Sequence, residues 1–115
     1  MNDVKEHIDK LMQELRRGTI TIGVLSQLSS PQYGYSLVTI LDEKGMQVEP
    51  GTLYPLLRRL EKQGLLKSEW DTNEARPRKY YVLSPFGKEV YEQLCMEWEG
   101  MVKSLSLLLN DQGGN

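Results

Sequence analysis

Cysteine and histidine are nearly missing: the 115 residues hold one of each, Cys95 and His7. That leaves no internal disulfide and too few ligands for a structural zinc site, which wants about four, so neither metal nor cofactor is expected. The same shortage removes catalytic arrangements built on a placed imidazole, because His7 falls in an expected N-terminal helix with no nucleophile close in sequence. A glycine-rich phosphate loop is absent too, and the chain is not expected to be an enzyme. Long apolar runs are also lacking. The strongest, Leu105–Leu109, is broken by Ser106 and falls far short of the roughly 20 residues that cross a bilayer. Residues Met1–Lys10 mix charged and apolar positions without a continuous apolar stretch, so neither a secretory signal nor membrane association is expected, and a cytoplasmic location is.

What is present, 39% hydrophobic and 26% charged residues, has the profile of one soluble globular domain. A single core of this size hides only about two thirds of the unfolded chain's surface, which makes a homodimer a reasonable expectation. The net charge of −2 gives no hint of a polyanionic partner, but the average conceals a pattern. Between Pro50 and Tyr80 seven bases (Arg58, Arg59, Lys62, Lys67, Arg76, Arg78, Lys79) face four acids (Glu61, Glu69, Asp71, Glu74), a local +3 between acidic flanks. A basic middle of this kind is the electrostatic footprint that a phosphate-binding surface requires, although solvated charge is its commoner origin.

Apolar spacing organises the chain into helices. Val4, Ile8, Leu11 and Leu15 recur at four, three and four, and Ile22, Leu25 and Leu28 continue the period after Gly18, which is expected to break or bend the helix. The cluster Ser29-Ser30-Pro31 marks a turn. A helix from Gly34 to Lys44 turns Leu37, Val38 and Leu41 inward, with Gly45 suited to a left-handed cap. The next, Gly51–Gln63, buries Leu53, Leu56, Leu57 and Leu60; Pro55 is expected in its first turn and Thr52 or a neighbour as its cap. Leu66–Asp71 and Lys79–Leu83 read as a hairpin, the only sheet signal. Ser84-Pro85 then starts a helix expected to run to Leu109, about 25 residues or some 37 Å.

Two helices joined by a short loop and followed by a hairpin make a winged helix-turn-helix, a mainly α fold with a small β-hairpin, whose second helix enters the major groove of double-stranded DNA. On that helix Gly51, Pro55, Arg58 and Lys62 lie opposite the leucines, with Thr52, Tyr54 and Arg59 on the flanks. The N-terminal part of this face is slim enough for close approach, and an arginine can bond two acceptors on guanine. Alone, such a face is as readily solvated charge as a binding surface. The second cluster, Arg76, Arg78 and Lys79 on the hairpin, shifts the weighting toward a nucleic-acid surface. Tyr80 and Tyr81 read as hairpin packing.

These residues are recognisable. Tyr33-Gly34-Tyr35, the run Pro50-Gly51-Thr52-Leu53-Tyr54-Pro55-Leu56-Leu57-Arg58-Arg59-Leu60-Glu61, Gly64-Leu65-Leu66 and Arg76-Pro77-Arg78-Lys79-Tyr80-Tyr81 resemble the PadR family of bacterial transcriptional regulators. The likeness covers roughly Leu15–Leu109 and implies a dimeric repressor of the short subfamily, acting on a palindromic operator. It puts the recognition helix on Thr52, Tyr54, Pro55, Arg58 and Arg59, and the wing on Arg76, Arg78 and Lys79. Lys62 and Tyr35 join them as expected DNA-binding residues. Tyr33 stands where the family commonly has histidine, and Glu74-Ala75 where the wing tip usually has glycines; Asn73 is expected to supply the left-handed conformation there.

Tyr91, Leu94, Trp98, Met101, Leu105 and Leu108 form a heptad seam on the last helix that wants a partner: for Tyr91 and Leu94 the chain's own helices are an alternative, and for the distal part the partner is expected to be the same helix and the N-terminal residues Ile8, Leu11 and Leu15 of a second copy. Cys95 beside it reads as a small packing residue. In relatives of this kind a tryptophan at the place of Trp98 flanks a dimer cavity for flat aromatic compounds, so a releasing ligand is expected near Trp98, Met12 and Met101, with Met96 as a further wall. The expected domains are thus 1–83 for DNA binding, 84–110 for dimerisation and 111–115 as a disordered tail. The rival reading is a winged helix used for protein contacts, which would more naturally show an apolar outward face.

Overall fold

The computed structural model describes residues 3–73 and 75–113. In chain order it contains α1 (Asp3–Ser26), β1 (Gln32–Tyr33), α2 (Gly34–Glu43), α3 (Pro50–Lys62), β2 (Leu66–Asp71), β3 (Arg78–Leu83) and α4 (Pro85–Gly113). The strands form one antiparallel sheet in the order β1-β3-β2.

Several details differ from expectation. Helix α1 is continuous through Gly18: an exposed mid-helix glycine costs only about 1 kcal/mol, less than the packing of the following turns supplies. The hairpin is not the whole sheet, because Gln32 and Tyr33 pair with Tyr81 and Tyr80. Helix α3 begins one residue early, at Pro50, with Glu49 as N-cap and no side-chain cap, so Thr52 is inside the first turn rather than capping it. Proline at the first helical position needs no N–H partner there. Pro55 sits deeper than expected, inside the helix; its missing N–H leaves the Gly51 carbonyl without its intrahelical partner on the exposed face. Helix α4 continues to Gly113, so residues 111–113 are helical rather than a disordered tail, while 114 and 115 lie outside the described residues.

The core lies at the middle of the chain. Val24, Leu25 and Leu28, Leu37 and Leu41, Val48, the α3 stripe Leu53, Leu56, Leu57 and Leu60, and Leu66 and Tyr81 of the sheet are all buried together. Tyr91 and Leu94 at the start of α4 pack against this cluster. Beyond it both long helices run into solvent. The radius of gyration of 17.2 Å exceeds the about 13 Å of a compact chain of this length, and the molecule is 61 Å along its longest axis against 23 Å along its shortest.

Two helix ends are closed by the same device. At α2 the Gly45 N–H reaches the Asp42 carbonyl at 3.0 Å and the Met46 N–H reaches Leu41 at 2.8 Å; at α3 the Gly64 N–H reaches Glu61 at 2.9 Å and the Leu65 N–H reaches Leu60 at 3.0 Å. Gly45 and Gly64 take φ of +88° and +82°, the left-handed turn that glycine adopts without a Cβ clash. Ser84 then caps α4 as expected, its Oγ accepting the Gly87 N–H at 2.9 Å. The same hydroxyl donates to the Gly64 carbonyl at 2.6 Å, and the Ser84 N–H donates to Leu65 at 3.0 Å. The start of α4 is thereby bonded directly to the end of α3.

Candidate nucleic-acid interface

Burial of the four α3 leucines turns the opposite face outward, and Gly51, Thr52, Pro55, Arg58, Arg59 and Lys62 are exposed on it. Tyr54 is different. Its ring is half-buried against the first turn of α2, where a Cβ at position 34 would collide with it. The glycine of the Tyr33-Gly34-Tyr35 motif thus makes room for the tyrosine of α3, and the two motifs are one contact.

The hairpin is fastened on both faces. Antiparallel register sets Ser68 opposite Tyr81 and Trp70 opposite Lys79. On the α3 side the Ser68 hydroxyl donates to the Glu61 carboxylate, and Lys79 Nζ lies 3.6 Å from the other Glu61 oxygen. The Lys79 ammonium also stands 5.5 Å from the Tyr81 ring centre and 5.9 Å from that of Trp70, within cation–π range. Lys79 shares one open concavity with Arg58, Arg59, Glu61 and Lys62. One member of the hairpin cluster, Lys79, thereby joins the basic residues of α3 on one surface.

On the other face Arg78 sits in an aromatic cradle. Its guanidinium carbon is 4.3 Å from the Tyr33 ring centre and 5.6 Å from that of Tyr35, and it donates a hydrogen bond to the Tyr35 hydroxyl. Tyr33 and Tyr35 stack at 6.0 Å with rings 10° apart, and Tyr80 meets Tyr33 edge-on at 6.1 Å. The Tyr33 hydroxyl donates to Asp71, which also accepts the Asn73 N–H at 3.1 Å. The Tyr33 bond, then the Asn73 bond, and to a smaller degree the Arg78 charge hold the Asp71 carboxyl below its ordinary value against partial desolvation. Asn73 is therefore not left-handed: among the described residues no non-glycine has positive φ, and the Asp71 side chain satisfies its N–H instead. Tyr80 donates to Glu69 at 2.9 Å, and that carboxylate pushes the phenol above its usual range.

Of the expected DNA-binding residues, then, Thr52, Pro55, Arg58, Arg59, Lys62, Tyr35 and Arg76 are exposed, while Tyr54, Arg78 and Lys79 are half-buried and already engaged within the fold. Sequence reading missed Tyr33, Glu61, Ser68 and Asp71, which hold the hairpin, and Trp70, an indole 62% exposed beside Lys79. The exposure of Trp70 had a sequence signal, since its face of the strand extends past the last buried position, Leu66.

The far ends present a different surface. Ile8, Leu11, Leu15, Trp98, Met101, Leu105 and Leu108 are all exposed. Leu94, like Tyr91, is half-buried on the chain's own core, the alternative left open for these two, and the fully exposed part of the seam starts at Trp98. Trp98 shares an open groove along α4 with Met96, Val102, Lys103 and Ser106; Met12 and Met101 are exposed outside it. Among the described residues no helix is long and apolar enough to cross a membrane.

Comparison with known proteins places this arrangement. Transcriptional regulator Rv3488 of Mycobacterium tuberculosis is 37% identical over 78 residues, which cover 67% of this chain and 73% of that protein. The crystal structure of a PadR family transcriptional regulator from Eggerthella lenta superposes with a TM-score of 0.89 at 43% identity, over 95% of this chain and 97% of that one. A PadR family transcription regulator from Clostridium difficile gives a TM-score of 0.72 at 31% identity, over 78% of this chain and 97% of its own. All three of these relatives are transcriptional regulators. Residues 22–93 match the transcriptional regulator PadR-like family, and the chain belongs to it.

Proposed function

We propose that this protein is a transcriptional repressor that binds a palindromic DNA operator as a homodimer. The observation that carries this reading is the joining of two basic elements into one surface, where Lys79 of the hairpin meets Arg58, Arg59 and Lys62 of α3 in a shared concavity. In this reading α3 lies in the major groove, with Arg58 bonding a base edge, and the hairpin follows the adjacent backbone with Arg76, Arg78 and Lys79. Residues 1–83 bind DNA and the helix from 84 onward joins two copies.

The homodimer accounts for the exposed apolar rows on both long helices. Leaving Ile8, Leu11, Leu15, Met101, Leu105 and Leu108 in water is unfavourable by about 25 cal/mol per Å², and a second copy removes that cost symmetrically. A flat aromatic compound seated beside Trp98 at the two-fold axis would alter the angle between the copies and release DNA. The test is a gel shift of the purified protein on DNA from its own upstream region against random DNA, at two salt concentrations. Specific binding whose site is a two-fold palindrome supports the reading. Equal, weak binding to both DNAs overturns it.

A further inference from the structure

The outer part of the hairpin carries an indole that the fold leaves in water. Alternation along β2 puts Leu66, Ser68 and Trp70 on the face turned toward α3. Burial falls off along that row: Leu66 is buried, Ser68 is half-buried and bonded to Glu61, and Trp70 is 62% exposed. Its partner across the strands is Lys79, whose Nζ stands 5.9 Å from the Trp70 ring centre and 3.6 Å from Glu61. Lys79 also lines the concavity that holds Arg58, Arg59, Glu61 and Lys62, so the indole stands beside a hollow of four cations and one carboxylate. Arg58, Arg59 and Lys62 are all exposed there. Tryptophan is highly buried on average, and a strand position of this kind is filled as well by a smaller strand former.

We propose that Trp70 is a DNA-contacting residue: its indole packs on a deoxyribose of the strand whose phosphates lie in the basic concavity between α3 and the hairpin. This rests on the DNA-binding reading above and adds to it an apolar contact. A partner for this spot has to be polyanionic and apolar at once. The duplex backbone is both, since every phosphate is joined to a sugar whose ring carbons are apolar. With α3 in the major groove and the hairpin on the adjacent backbone, the strand between them passes where the concavity and the indole lie. The cations draw that strand in, and the removal of water from between ring and sugar holds it. A broad, flat side chain with only two rotatable bonds loses little freedom when it is covered. Because the sugar is the same at every nucleotide, the contact strengthens binding to all sequences alike. A second copy of the chain is a poorer cover, since a two-fold contact here would press one basic hollow against another.

The experiment compares wild type with Trp70→Thr, Trp70→Phe and Lys62→Gln in full-length protein, on a duplex from the protein's own upstream region and a random duplex of equal length, across a salt series. Trp70→Thr keeps a strand former and removes the ring; binding to both duplexes should weaken about tenfold with the salt slope unchanged, because an apolar contact releases no counterions. Trp70→Phe keeps a smaller ring and should lose about threefold. Lys62→Gln should instead flatten the slope of log K against log salt by about 0.9. A second readout follows the indole itself. Acrylamide quenching of wild-type emission should fall when DNA is added and stay constant in Trp70→Phe, where Trp98 is the one tryptophan left. Thermal melts establish that each variant is folded at the binding temperature. If Trp70→Thr is folded and binds DNA as wild type does, the indole only pairs with Lys79 across the hairpin and the proposal is wrong. A shift from dimer to monomer in Trp70→Thr by sedimentation would assign the indole to a protein contact and overturn it equally. If wild type binds neither duplex specifically, it is the DNA-binding reading that fails.

Discussion

The two halves of α1 have similar apolar spacing and opposite fates. Val24 and Leu25 are 0% and 1% exposed, while Val4, Ile8 and Leu15 on the same continuous helix are 75%, 52% and 64% exposed. Helix α4 repeats the contrast in reverse: Tyr91 and Leu94 pack on the core, and Leu105 and Leu108 do not. Periodicity thus marks which face of a helix is apolar but not what will cover it. The central region finds its cover within the chain, through α2, α3 and the sheet. The distal regions have no such cover, and in our reading a second copy supplies it.

The contrast can be broken most severely at the distal end. Leu105→Glu would bury two carboxylates at the two-fold interface, each costing several kcal/mol. The expected outcome is a folded or partly folded monomer by sedimentation velocity, and an intact dimer would place the interface elsewhere. In the central region Leu57→Ala, at a site with 0% exposure, should lower stability by about 2–5 kcal/mol in chemical denaturation. That loss should be independent of protein concentration if the core belongs to one chain. Arg58→Ala, exposed on α3, should leave stability unchanged but weaken operator binding by about 1–3 kcal/mol and blur preference at one base pair, measured by titrating operator variants. Gly64→Ala forces a Cβ into a φ of +82° and should cost roughly 1 kcal/mol, read from the thermal midpoint.

The smallest effect is a pH dependence. The Asp71 carboxyl is lowered in the folded state, so its stabilisation is fully present above the unfolded value of 3.8 and is lost as pH falls through the folded value. Between those two values Tyr33→Phe should flatten the acid limb of stability, and an unchanged limb would mean that the phenol does not set the carboxyl.

How much of this was legible in the sequence depended on the range of the interaction. The α3 leucines and the Ser84-Pro85 helix start were readable because capping and helical spacing act within four residues. Gly18 does not break α1 because glycine's helix penalty is small beside the packing downstream. Pro50 outranked Thr52 as the start signal because a proline ring sets its own φ and biases the residue before it toward extended backbone, whereas a threonine cap is optional. Strand β1 has only two residues, too few for any alternation. The Tyr33 bond to Asp71 spans 38 positions and that of Arg78 to Tyr35 spans 43, so nothing local announces either. Basic residues were visible as charge, but which of them are already held by the fold was not.

The bond from Ser84 to Gly64 has a mechanical consequence. It ties the residue that caps α4 to the glycine that closes α3, so in our reading the helix that enters the groove and the 29-residue rod behind it turn together as one lever. At about 1.5 Å per residue that rod is roughly 43 Å long. A tilt of only about 5° at its far end would sweep the reading head by about 4 Å, close to the roughly 3.4 Å step between successive base pairs. In the homodimer we propose, a tilt of that size where the two rods join would put both heads out of phase with the duplex.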